Sequence, residues 1–163
     1  MRRLSLYSSL AQRLSEKRRF IQILAGPRQV GKTTLARQVL ETYPHPSHYA
    51  SADDPAIKDR DWVFQQWDLG RYKAKAGPAL LVFDEIQKIP GWSEAVKSLW
   101  DADTREGREL QVLLLGSSPL LIRSGLTESL AGRFEQIAAP HWSFAEMREA
   151  FGWNLGAYPI LCV

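Results

Sequence analysis

Gly26-Pro27-Arg28-Gln29-Val30-Gly31-Lys32-Thr33 is the stretch that decides how this chain is read. It matches the pattern G-x-x-x-x-G-K-[ST], and the spacing has a chemical reason. Glycines let the backbone curl until successive N–H groups converge on one point, which suits phosphate oxygens. A helix after the loop adds the positive end of its dipole. Lys32 has the reach for β- and γ-phosphates, and the Thr33 hydroxyl suits a Mg²⁺ ligand. Gly26 through Thr34 is therefore the candidate phosphate-binding segment. The flanks agree. Phe20-Ile21-Gln22-Ile23-Leu24-Ala25 reads as a buried strand, and Thr34 to Thr42 as a helix that Pro44 and Pro46 end. The competing reading is a tight strand–helix turn with no ligand.

Further along, Leu80-Leu81-Val82-Phe83-Asp84-Glu85 is an apolar strand that runs out into two carboxylates. Beside a phosphate loop, Asp84 is placed to hold Mg²⁺ through its water shell, and Glu85 to act as general base on a water molecule. An Asp-Glu pair points to water as the nucleophile rather than to phosphoryl transfer onto a small molecule. The alternative is a strand that ends in charge where it meets solvent. The next apolar strand, Leu110 to Leu115, leads into Gly116-Ser117-Ser118-Pro119. Ser118 before Pro119 has the form of a helix N-cap and first helical residue, which leaves Ser117 as the candidate for contacting the γ-phosphate or the attacking water. Arg133, in Leu130-Ala131-Gly132-Arg133-Phe134, could complete a neighbouring subunit's site as an arginine finger; an ion-paired or solvated arginine fits the sequence equally well.

Strands alternate with helical stretches along the whole chain. His48-Tyr49-Ala50 reads as a short strand, residues 57–75 read as a helix, and Trp92, Val96, Leu99, Trp100 and Asp103 recur at helical spacing. Phe134 to Ala138 reads as a last strand. Ser143 with Glu146 is a capping box opening a helix to about Phe151. Nearly all-apolar strands belong to a parallel sheet covered on both faces, so the fold class is α/β, a three-layer sandwich with a mainly parallel central sheet. The chain divides into an N-terminal amphipathic helix over 1–17, a core over 18–153, and a tail over 154–163 with no clear period.

A length of 163 residues with 45% hydrophobic side chains supports one well-buried domain and excludes a disordered chain. The net charge of +3 permits a nucleic-acid partner without arguing for one. Cys162 is the single cysteine, so no internal disulfide or cysteine-based zinc site forms, which fits a cytoplasmic setting. No apolar run approaches the roughly 18 residues of a membrane span. Trp62, Trp67, Trp92 and Trp100 read as core, and base stacking by the six tryptophans is the lesser expectation. His45, His48 and His141 show no ligand spacing, Lys17-Arg18-Arg19 reads as a solvated face, and Asp53-Asp54-Pro55 reads as a turn that could approach Mg²⁺.

Together these motifs resemble the AAA-type (STAND-like) P-loop ATPase domain of bacteria and archaea that usually precedes a C-terminal domain of unknown function. The matching stretches are Ala25 to Arg37, Leu81 to Trp92 and Leu113 to Phe134, with Pro140 to Glu149 fitting less tightly. The resemblance implies ATP bound at the first stretch, adenine rather than guanine, and Mg²⁺ and water chemistry at Asp84 and Glu85. It makes Ser117 a sensor residue and Arg133 a finger acting in trans within a homo-oligomer. Members of that family normally continue into a second domain that faces a protein or DNA partner, and AAA-type enzymes carry a helical lid. Here the chain stops at Val163 with no segment for a lid, the form expected of a truncated core. A non-hydrolysing nucleotide switch is the rival expectation, and a small-molecule phosphotransferase is a third.

Overall fold

A computed structural model describes residues 3–53, 59–117 and 130–152. In chain order the elements are α1 (Leu4–Ser15), β1 (Ile21–Ala25), α2 (Lys32–Thr42), β2 (Ser47–Ser51), α3 (Arg60–Lys73), β3 (Ala79–Asp84), α4 (Trp92–Arg105), β4 (Leu110–Gly116), β5 (Phe134–Ala138) and α5 (Phe144–Phe151). The strands form one five-stranded sheet in the order β2-β3-β4-β1-β5, and every pairing is parallel.

The unbroken apolar strands are explained by what covers them. Ile21, Ile23, Leu81, Phe83, Val112 and Leu114 point to one side and pack with Val63 and Trp67 of α3 and with Trp92, Val96 and Trp100 of α4. Leu24, Leu80, Val82, Leu113 and Leu115 point to the other side, against Leu10 and Leu14 of α1 and Leu35, Ala36 and Val39 of α2. Alternate residues thus serve opposite layers, and both layers are apolar. Each fully buried Leu or Val contributes about 1.5–3 kcal/mol relative to exposure. Among the described residues no helix is long and apolar enough to cross a membrane.

One buried polar cluster orders the α3–α4 side. Asp103, fully buried on α4, accepts from Trp67 Nε1 at 2.7 Å and from Arg71 Nε at 2.8 Å. Its helical spacing with Trp92 and Trp100 therefore marks a core position, occupied by a paired carboxylate. Asp103→Ala leaves an indole N–H and a guanidinium facing a void, and is expected to cost about 3–5 kcal/mol of stability; urea unfolding followed by tryptophan fluorescence measures it.

Arg18 differs from its expected solvated role. Its guanidinium lies 3.5 Å over the Trp100 ring and donates to the carbonyls of Leu110 and Trp100 and to Thr104 Oγ1. It ties the entry of β1 to α4 and β4. The helix read over 57–75 is α3, and a single 3-10 turn over Ala74–Ala76 follows it. The helix after the glycine loop begins at Lys32, two residues earlier than its apolar pattern indicates.

Because all strands are parallel, their C-terminal ends share one edge of the sheet. The registers Ala25↔Gly116, Ala25↔Ala138, Asp84↔Leu115 and Ser51↔Asp84 set this edge. β1 and its loop sit where the strand order reverses, the usual ligand crevice of an open α/β sheet.

Candidate functional site

The glycine loop leaves β1 at the centre of that edge. Gly26 donates to the Gly116 carbonyl at 3.3 Å, and a Cβ at position 26 would lie only 2.0 Å from the Ala139 carbonyl oxygen. No other residue type fits there. Gln29 and Gly31 adopt left-handed conformations, with φ of 62° and 89°. They bend the chain into the start of α2, whose first internal bond runs from Leu35 N to Gly31 O at 2.9 Å. No side chain caps this helix. An uncapped N-terminus facing a cavity is a ready anion site.

Lys32 folds back over the loop, largely buried, and donates to the carbonyls of Gly26 at 3.0 Å and Pro27 at 2.6 Å. Burial pulls its ammonium below the usual lysine range; the Glu85 and Asp84 carboxylates oppose this, and Arg28 adds to it. Thr33 Oγ1 donates to Asp84 Oδ2 at 2.7 Å, so residues 51 positions apart meet beneath the loop. Tyr49 of β2 donates its hydroxyl to the same oxygen at 2.6 Å. Burial, then the hydrogen bond to Asp84, raises the Tyr49 hydroxyl well above the usual tyrosine range. Asp84 Oδ1 is buried and has no hydrogen-bond partner among the described residues.

Glu85 follows with φ of 54°, a left-handed conformation that costs a non-glycine residue about 1–3 kcal/mol. The turn re-aims its side chain from the strand towards the cavity. Gln87 Nε2 donates to Glu85 Oε2 at 2.6 Å, and Lys88 N bonds back to Glu85 O at 3.0 Å. A cavity of about 520 Å³ opens here, lined by Arg28, Gln29, Thr33, Asp53, Glu85 and Lys88 among others. Lys88 forms an ion pair with Asp53 at its wall.

A second cavity of about 350 Å³ shares Gln29, Gly31 and Thr34 with the first. Its remaining walls are Arg3, Leu35, Gln38, Trp142 and Met147, a mainly apolar set. Arg3 closes it. The guanidinium grips Glu146 in two bonds of 2.8 and 3.0 Å, donates to Pro140 O at 2.9 Å, and lies 5.1 Å from the Trp142 ring centre. The arginine bonds, with smaller help from the Ser143 capping box, lower the Glu146 carboxyl from 4.5 to about 2.

The expected residues fall into three groups. Lys32, Thr33 and Glu85 line the cavity with Arg28, Gln29, Gly31 and Thr34 of the loop, the buried Asp84 is joined to Thr33 by its hydrogen bond, and Gly26, Pro27 and Val30 lie off the lining. Ser117 is buried directly after β4, between the ends of β1 and β3. Arg133 lies at the opposite edge of the sheet, where β5 begins, in two bonds of 2.7 and 3.0 Å to Asp101. In this structure it is ion-paired, as the sequence also allowed. Ser118, Pro119, Asp54, Pro55 and Cys162 lie outside the described residues. Tyr49 and Gln87, bonded to Asp84 and Glu85, and Lys88 at the cavity wall are neighbours of the candidate site that the sequence did not single out. For Lys88 there was a signal, a cation three residues beyond Glu85. For Tyr49 there was none, because its partner is on another strand.

A parallel sheet with an uncapped helix behind a glycine loop, and an acidic strand end beneath it, defines a P-loop NTPase-like domain. The family model described as AAA domain matches residues 18–148, and the chain belongs to that family. Two curated relatives are an uncharacterized protein of Mycobacterium tuberculosis, Rv2008c, and one of Mycobacterium bovis, Mb2031c. Each is 35% identical over 119 residues, which is 72% of this chain and 24% of the relative. The chain thus spans about a quarter of the length of these relatives.

Proposed function

We propose that this domain binds Mg²⁺-ATP and hydrolyses it to ADP and phosphate in the cytoplasm. The observation that carries the reading is the convergence of Lys32, Thr33 and the buried Asp84 carboxylate under one uncapped helix end. The donor set fits Mg²⁺: a hydroxyl, a carboxylate with a buried and partnerless oxygen, and room for water and phosphate oxygens. Bound there, the ion would neutralise charge on the β- and γ-phosphates.

The chain's own residues supply the rest. Loop amides and the α2 N-terminus hold the phosphates. Lys32 exchanges two backbone carbonyls for phosphate oxygens, at little reorganisation because its head is already held beside them. Glu85, fixed by Gln87, accepts a proton from the water that attacks the γ-phosphorus, while the bond to the ADP oxygen breaks. Ser117 contacts the γ-phosphate or that water. Arg133 completes the site of a second copy in a homo-oligomer, which requires its release from Asp101.

The second cavity fits the base. It adjoins the phosphate cavity through shared loop residues, and Trp142 and Leu35 offer apolar faces for adenine. Trp142→Ala is expected to weaken ATP about tenfold, as loss of a stacking partner does, and to leave tripolyphosphate binding unchanged; competition against a fluorescent nucleotide reads both. Phosphate release from Mg²⁺-ATP across a protein concentration series tests hydrolysis itself. Turnover whose specific activity rises with concentration supports an ATPase completed by assembly. Nucleotide binding with no release above background replaces it with the non-hydrolysing switch.

A further inference from the structure

Asp84 is held by more than the threonine of the glycine loop. β2 is an edge strand, and its register sets Tyr49 beside Val82 and Ser51 beside Asp84. Tyr49 packs on the α1–α2 side of the sheet, the side that also carries Val82. From there its hydroxyl reaches Asp84 Oδ2 at 2.6 Å, while Thr33 Oγ1 reaches the same atom at 2.7 Å. A carboxylate oxygen has two lone pairs, so Oδ2 is saturated by these two donors. Oδ1 is left buried without a partner among the described residues. The ring is itself fixed, with the Arg37 guanidinium of α2 lying 5.5 Å from its centre.

We propose that Tyr49 is a positioning residue for the metal site: its hydroxyl locks the Asp84 carboxylate so that only Oδ1 faces the divalent cation and its water shell. The inference rests on the Mg²⁺-ATP reading above. The terminal torsion of an aspartate is broad and roughly two-fold, so a carboxylate held by Thr33 alone can rotate and exchange its oxygens. Two donors on one oxygen remove that freedom before the cation arrives. The hydroxyl also lies outside the loop, so it acts on the cation without touching the phosphates.

The test is a Mg²⁺ titration of fluorescent ADP binding to the full chain at pH 8, for wild type and Tyr49→Phe, with EDTA controls. Phenylalanine keeps the ring and removes only the donor. Tyr49→Met is a second hydroxyl-free variant should the first fail to fold, and circular dichroism checks both. The Mg²⁺ concentration at half-saturation is expected to rise about two- to tenfold, the worth of one hydrogen bond, with metal-free ADP affinity unchanged. In an Asp84→Asn background the same substitution is expected to have no effect, as a residue acting through Asp84 requires. An unchanged or lowered Mg²⁺ requirement in a wild type that depends on Mg²⁺ overturns the role of Tyr49 alone. So does an effect that persists with Asp84→Asn, or an equal loss of metal-free binding. A wild type indifferent to Mg²⁺ overturns both this role and the metal site itself.

Discussion

Lys32→Ala is expected to weaken ATP binding about 100-fold or more while the domain remains folded. The size follows from what the ammonium does on either side of binding. It can make two charge-assisted bonds to phosphate oxygens, each worth about 1.5–3 kcal/mol. The folded state loses little without it, because burial already disfavours its charge, and only the Gly26 and Pro27 carbonyls lose a donor. Calorimetric titration with ATP and thermal unfolding, run on the same preparation, separate the two effects. Full affinity in the variant would remove the loop from the site.

The second large effect is on turnover. Glu85→Gln keeps the shape of the side chain and removes the ability to take a proton. Phosphate release is expected to fall by about 10² to 10⁴, the usual worth of a general base, with ATP affinity kept within a few-fold. The left-handed backbone at position 85 is what makes the comparison clean. It is set by Glu85 N on Leu115 O at 3.0 Å and by the 3-10 turn over Ile86–Lys88, and both bonds use main chain only. A glutamine inherits the same aim. Equal turnover in the two proteins would move the base elsewhere, with Asp53 the next carboxylate at the cavity wall.

Much of this was legible in the sequence because it is local. Phe20 to Ala25, Ala79 to Phe83 and Leu110 to Leu115 read as buried strands, and strands lie at Ile21–Ala25, Ala79–Asp84 and Leu110–Gly116 with both faces covered. The capping box of Ser143 and Glu146 is present in full. The glycine loop pointed to Lys32 and Thr33 as candidates, and the acidic strand end to Asp84 and Glu85. What escaped reading depends on partners far apart in the chain. Arg3 and Glu146 are 143 positions apart, and the capping box that marks Glu146 says nothing of Arg3. Arg18 sits in a basic run that looks solvated until Trp100 comes beneath it. Tyr49 looks like one more residue of a short strand until the parallel register lays β2 beside β3.

The space where Gly26 has no side chain is filled by the Ala139 carbonyl, and Ala139 N in turn bonds to Ala25 O at 2.8 Å. The peptide that leaves β5 is therefore pressed and stitched to the joint where the phosphate loop begins, with no slack between them. A push on the lead-in to α5 arrives at the cradle as displacement rather than being absorbed. Any shift of the loop on binding a ligand would have to move that lead-in as well, so the two ends of this contact form one lever.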